Sequence, residues 1–177
     1  DGRKIIKQKQ ININDVVVGI SASGTAPFVI GALKEASKNK IKTALITFND
    51  IKKSDFIDHL IPIITGSEII SGSTRLKAGT ATKMVLNMIT TATMIKLNKT
   101  YKNFMVDLKV SNRKLLSRAI SIINQITDLS NEDCKKLLEL ANGEVKAALV
   151  MNKLNCNYEK AIIELFNKKG NLYQIID

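Results

Sequence analysis

Three features of the sequence predict an α/β fold: a mostly parallel sheet with flanking helices, followed by a small all-helical region. The first is a set of short apolar runs at 16–20, 42–48 and 60–64. Runs of this length, rich in β-branched residues, read as strands buried on both faces, as in parallel sheets. The second is the helical stretch between the first two runs, which lets one strand lead to a parallel neighbour. The third is a succession of helix-period patterns after about residue 111, with no further strand among them.

Taken in order, residues 5–10 read as the tail of a helix, and Asn14-Asp15 as a turn. Val16-Val17-Val18-Gly19-Ile20 is the first strand, and Ser21 to Ala26 is a loop of small residues. Pro27 suits the first position of a helix, where its missing N–H costs nothing. Phe28, Ile30, Gly31, Leu33 and Ala36 supply the apolar side of that helix, and Lys34, Glu35 and Lys38 its wet side. A third, short strand at 60–64 precedes Gly72-Ser73-Thr74-Arg75-Leu76-Lys77 and an apolar run at 84–97, which reads as a buried helix capped by Ser73 or Thr74. Residues 98–105 break the helical pattern. Residues 112–126 resume it, with Leu115, Leu116, Ala119, Ile122, Ile123 and Ile126 on one side. Three shorter helices follow. Ser130 caps the first, with Asp133 three residues on. Gly143 separates the first from the second, and Asn157 opens the third. The expected division is 1–110 for the α/β part and 111–177 for the helical part, with a three-helix bundle at about 129–170.

Composition bounds the rest. Of the 177 residues 45% are hydrophobic, enough for a packed core. The net charge of +11 raises nucleic acid as a partner. However, the basic residues are scattered, with short clusters only at 34–42, 52–53 and 168–169, and aromatic residues do not interleave with them. No nucleic-acid partner is expected. Cys134 and Cys156 have no metal-ligand spacing and read as free thiols of a reducing cytoplasm. The 84–97 run is too short to span a bilayer, so no membrane association is expected. The opening residues, Asp1-Gly2-Arg3-Lys4, carry no Met and no signal-peptide pattern, as at the cut edge of a longer protein.

Two loops are candidates for holding an anion. Ser21, Ser23, Gly24 and Thr25 lie at the carboxyl end of a parallel strand, where open α/β sheets bind ligands. The loop is neither a P-loop nor a dinucleotide fingerprint. The second candidate is Ser73, Thr74, Arg75 and Lys77. With a cap at Ser73 or Thr74, the two cations fall in the first helical turn, where they oppose the helix dipole. A bound anion removes that conflict. Glu68, just upstream, is either a hydroxyl-binding or acid/base carboxylate, or a partner for Arg75 or Lys77. His59, the only histidine, follows Asp58. Adjacent strand residues point to opposite faces, so a catalytic dyad is not expected. Met84, Met88 and Met94 read as core.

The stretches 17–29, Val-Val-Gly-Ile-Ser-Ala-Ser-Gly-Thr-Ala-Pro-Phe-Val, and 66–80, Gly-Ser-Glu-Ile-Ile-Ser-Gly-Ser-Thr-Arg-Leu-Lys-Ala-Gly-Thr, resemble the N-acetylmuramic acid 6-phosphate etherases. That family belongs to the sugar isomerase (SIS) superfamily of phosphosugar-binding domains. Asn87-Met88-Ile89, Lys96-Leu97, Asn103 to Asp107 and Ala141 to Lys146 are similar to the same family. The resemblance covers nearly the whole chain and corresponds to the later part of the family's longer sequence.

The resemblance implies a carbon–oxygen lyase acting on the D-lactyl ether of N-acetylmuramic acid 6-phosphate. The products are N-acetylglucosamine 6-phosphate and D-lactate, in cell-wall sugar recycling. It implies no metal or other cofactor, since two carboxyls with separated pKa values suffice. It implies that Ser21, Ser23, Gly24 and Thr25 hold the substrate's phosphate, with Ser73, Thr74, Arg75 and Lys77 as further candidates. The acid and base are expected upstream of Asp1, with Glu68 the only carboxylate near either loop. A cytoplasmic homodimer with sites near the subunit boundary is implied. The family usually carries Arg-Thr where this chain has Thr25-Ala26, which removes a cation beside the ligand. The Ala26-Pro27-Phe28-Val29 form also resembles the glucokinase regulatory proteins, so the alternative is a non-catalytic sugar-phosphate-binding module. The last helices resemble ubiquitin-associated bundles, a likeness of fold that assigns no partner.

Overall fold

The computed structural model describes residues 1–177 as two compact units, Asp1–Asn87 and Met88–Asp177. In the first unit, α1 (Gly2–Gln8) is followed by β1 (Val16–Ile20), α2 (Pro27–Lys38), β2 (Lys42–Thr47) and β3 (His59–Pro62). The sheet has the order β1-β2-β3 and is parallel throughout, with Val16 beside Lys42, Ile20 beside Ile46 and Ala44 beside His59. This is the α/β class expected, and it is consistent with part of a SIS-type fold. Leu33, Leu45 and Ile57 form the centre of the unit's core, and Val17, Val29, Ile30, Ile51, Phe56 and Leu60 pack around them. One face of β1 is bare: Val16, Val18 and Ile20 are all exposed. Only the alternate residues of β1 meet the core beneath α2, as the period-2 geometry of a strand requires.

α3 (Lys77–Lys96) corrects two expectations. It begins at Lys77, not at Ser73 or Thr74. The first helical bond runs from the Thr80 N–H to the Leu76 carbonyl. The helix is also exposed rather than buried, with Ala78 its one buried residue and Met84, Met88 and Met94 all open to solvent. An apolar run reports a surface that burial would favour. It does not report whether a covering element is present.

In the second unit a short hairpin, β4 (Thr100–Tyr101) and β5 (Phe104–Met105), occupies the segment that breaks the helical pattern. The helices α4 (Arg113–Thr127), α5 (Asn131–Leu140), α6 (Val145–Leu154) and α7 (Tyr158–Asn167) follow, with α8 (Tyr173–Ile176) added near the end. α4, α5 and α7 start on side-chain caps, and those at Ser130 and Asn157 fall where the sequence placed helix starts. Asn112 accepts from the Leu115 N–H at 2.9 Å, Ser130 from the Asp133 N–H at 3.2 Å, and Asn157 from the Lys160 N–H at 3.1 Å. Each cap satisfies an N–H that has no partner within its own helix. α6 is the centre of this unit, with Val145, Ala147, Ala148, Leu149 and Val150 fully or nearly fully buried.

Candidate phosphosugar site

The loop after β1 is built by its neighbours on β2. The Ser21 N–H donates to the Ile46 carbonyl at 3.0 Å, which carries the parallel ladder one residue past the strand. The Ala22 carbonyl then accepts from the Phe48 N–H at 3.1 Å, the Thr47 hydroxyl at 3.3 Å and the Asn49 amide at 3.4 Å. A carbonyl with several donors fixes the loop against the end of β2. Gly24 completes the turn at φ +75°, with its N–H on the Ser21 carbonyl at 3.0 Å. A Cβ there would lie 2.7 Å from Ile51 Cδ1 and 2.9 Å from Thr47 Oγ1, so only glycine fits.

The turn brings three hydroxyls into a chain. Ser21 Oγ lies 3.5 Å from Ser23 Oγ, and Ser23 Oγ lies 2.9 Å from Thr25 Oγ1. Ser23 Oγ also accepts the Thr25 N–H at 3.2 Å. Ser21 is buried, and its Oγ accepts the Ala26 N–H at 3.3 Å. Ala26 precedes Pro27 and has no side-chain cap of its own. Ser21 therefore caps α2 from five residues upstream, leaving Ser23 and Thr25 as the outward hydroxyls.

The second candidate stretch is arranged differently from the expectation. The Glu68 carboxylate takes both of the first N–H groups of α3: Oε2 accepts from Lys77 and Oε1 from Ala78, each at 3.0 Å. The Lys77 ammonium turns back to donate to the Ser67 carbonyl at 2.6 Å. The anion that compensates the first turn is thus internal. The two backbone bonds, first from Ala78 and then from Lys77, hold the Glu68 carboxyl below the usual carboxylate range. Both bonds favour its charged form.

The two loops meet at the carboxyl edge of the sheet around a cavity of about 420 Å³. Ala22, Ser23, Phe48 and Asn49 form one side, and residues 65–68, 71, 72 and 74 with Ala78 form the other. Its size lies within the range of small-molecule sites. Of the residues named from the sequence, Ser23, Thr74 and Glu68 line it. Ser21 and Gly24 are buried in the supporting loop, and Thr25 is exposed beside Ser23. Ser73, Arg75 and Lys77 are not on its wall. Phe48, Asn49, Thr65 and Ser71 were not singled out. Phe48, Asn49 and Thr65 follow the ends of β2 and β3, where a parallel strand's carboxyl end was the available signal, and Ser71 comes with the loop beyond.

His59 is exposed, and Asp58 does not face it as a partner. The Asp58 carboxylate accepts from the Thr43 N–H at 2.8 Å, the Thr43 hydroxyl at 3.2 Å and the Lys42 ammonium at 3.1 Å. These bonds, the Thr43 N–H foremost, hold its carboxyl below the usual range. Asp58 is a clamp between β2 and the start of β3.

Residues 102–143 match the family model described as the C-terminal lid domain of glucokinase regulatory protein. The chain is 52% identical over 157 residues to the N-acetylmuramic acid 6-phosphate etherase of Clostridium acetobutylicum, a match covering 87% of this chain and 51% of that protein. Etherase 1 of Bacillus licheniformis is 49% identical over 155 residues, covering 87% of this chain and 51% of its own length. Etherase 2 of Vibrio cholerae is 41% identical over 177 residues, covering 99% of this chain and 58% of its own. The chain spans about half the length of the curated relatives it matches, and over that span it is similar to the N-acetylmuramic acid 6-phosphate etherases.

Proposed function

We propose that this chain forms part of a lyase that cleaves the D-lactyl ether of N-acetylmuramic acid 6-phosphate. The observation that carries the proposal is the cavity that joins Ser23 and Thr74 at the carboxyl edge of the sheet, in a chain whose relatives bear the etherase name. Ser23 and Thr25 present hydroxyls that donate to phosphate oxygens, and Ser21 and Gly24 hold the loop that carries them. The cavity next to them takes the sugar. Arg75 lies outside the cavity wall and contributes long-range charge. Lys77 reaches a phosphate only by releasing Ser67.

In the reaction a base removes the proton on the carbon beside the open-chain aldehyde. The ether carbon–oxygen bond breaks, and an acid protonates the departing lactate oxygen. Water then adds across the resulting double bond, giving N-acetylglucosamine 6-phosphate and D-lactate. Glu68 is bound to two N–H groups and is not the acid. We assign the acid and base to the part of the etherase that this chain does not span. The exposed apolar residues of α3 suit a second chain, as in a homodimer, and the functional division falls at about residue 110, ahead of α4. The partner is a cytoplasmic sugar phosphate. No helix is long and apolar enough to cross a membrane, and the scattered basic residues offer no nucleic-acid face. A purely regulatory role draws no support from the lid match, which covers residues 102–143 alone.

The test is D-lactate release from N-acetylmuramic acid 6-phosphate. The chain is mixed with the uncovered half of the Clostridium acetobutylicum etherase. Lactate from the mixture, lost with Ser23→Ala, supports the proposal. Release that is unchanged by Ser23→Ala removes the loop from the site.

A further inference from the structure

The cavity wall opposite Ser23 has an attachment that the phosphate-loop reading leaves unexplained. Residues 65–68, 71, 72 and 74 supply that wall. It is not held by apolar packing, since Ile69 and Ile70 are 80% and 68% exposed. Gly66 and Gly72 bracket it at φ +72° and +80°, with no atom close to where a side chain would begin. What ties it down is a pair of crossed links to the start of α3. The Glu68 carboxylate accepts the Lys77 and Ala78 N–H groups, and the Lys77 ammonium donates to the Ser67 carbonyl. A carboxylate set bidentately on the first turn of a 20-residue helix faces its positive end, where negative charge is favoured.

We propose that Glu68 is a positioning residue of the phosphosugar site: its carboxylate docks the 65–74 wall onto α3, shapes the sugar side of the cavity, and leaves the Ser21–Thr25 loop as the seat of the phosphate. The inference rests on the reading that this cavity takes a sugar phosphate. Two consequences separate it from a general structural role. The wall touches the sugar and not the phosphate, so loss of Glu68 changes affinity for the whole ligand and not for its phosphate group. Because both first-turn N–H groups need an acceptor, a second carboxylate restores the link and an amide does not. The amide of glutamine offers one acceptor and turns a donor toward the other N–H.

The experiment titrates the wild-type chain, Glu68→Gln and Glu68→Asp with N-acetylglucosamine 6-phosphate and, separately, with inorganic phosphate. The expected result is a loss of about tenfold or more in sugar-phosphate affinity for Glu68→Gln, since bonds to a charged group are among the stronger ones. Partial recovery is expected in Glu68→Asp, with inorganic phosphate affinity unchanged in all three. Equal sugar-phosphate affinity in wild type and Glu68→Gln overturns the inference and leaves the cavity reading standing. A parallel fall in inorganic phosphate affinity also overturns it, because Glu68 then acts on the phosphate seat. A wild-type chain that binds neither ligand overturns the cavity reading itself, and the inference with it. Should the variants fail to fold, a pH titration of the wild-type Lys77 and Ala78 amide shifts decides. Shared movement of both with a single acidic midpoint supports the docking, and independence of pH overturns it.

Discussion

Ser21 Oγ accepts the Ala26 N–H at 3.3 Å, so the first residue after β1 caps the helix that begins at Pro27. The link joins the floor of the phosphate loop to the start of α2. Ser21→Ala leaves a helix-start N–H without its acceptor. The expected loss is about 0.5–2 kcal/mol of stability, read as a lower urea midpoint with an unchanged slope. Because the buried hydroxyl faces the helix, the same variant disorders the loop less than it destabilises the unit. An unchanged midpoint would show that Ser21 does not cap α2.

Gly24→Ala is expected to be the more severe loop variant. At φ +75° a side chain costs about 1–2 kcal/mol from the left-handed backbone alone. The new Cβ also meets Ile51 and Thr47 at less than 3 Å. A lower melting temperature together with loss of sugar-phosphate binding is the expected pair of results. A variant as stable as wild type would mean that the turn has an alternative path.

Much of this arrangement was legible in the sequence because it is local. The β-branched run at Val16–Ile20 and the proline at position 27 bracket the loop, and the chain can do little else between them. The helix starts at Ser130 and Asn157 are caps that act on N–H groups three residues away, within reach of a short window. The start of α3 was not legible in this way. Its cap is Glu68, nine residues upstream of Lys77, and no local pattern marks a carboxylate that arrives by a loop. The exposure of Met84, Met88 and Met94 was equally hidden. Apolar character reveals what a helix is suited to touch, and the absence of a covering element is a property of the whole structure. That Asp58 is no partner of His59 followed from the alternation of a strand, but what it does bind was not legible. Its neighbour His59 is close in sequence, but its partners, Lys42 and Thr43, lie on the adjacent strand.

Asp58 carries a pH dependence with a definite sign. Its carboxyl is held below the usual range by the Thr43 N–H and then by Lys42. The stability it contributes is therefore fully present above the ordinary aspartate value, about 3.9, and is lost as the pH falls through the depressed value. Urea midpoints measured from neutral pH into the acid range should fall more steeply for wild type than for Asp58→Asn. Identical curves would show that the clamp between β2 and β3 contributes nothing.

In the second unit the informative group is Tyr101. Its hydroxyl donates to the Asp177 carboxylate, and burial followed by that carboxylate pushes the phenol up to about 12. A raised value means that the stabilisation is complete below the ordinary tyrosine value, about 10, and is lost as the pH rises toward the folded value. An ultraviolet titration of the three tyrosines should show one phenolate forming near 12, absent in Tyr101→Phe. Three phenols titrating together near the ordinary value would contradict the contact.

The central claim is that the cavity beside Ser23 holds a phosphorylated sugar, and amide-resolved chemical-shift mapping with N-acetylglucosamine 6-phosphate tests it most directly. The account predicts saturable shifts at Ser23, Gly24 and Thr25, joined by Thr65, Ser67 and Thr74 across the cavity, and their loss in Ser23→Ala. Saturable shifts confined to residues outside this cavity, or a spectrum unmoved by the ligand, would contradict it.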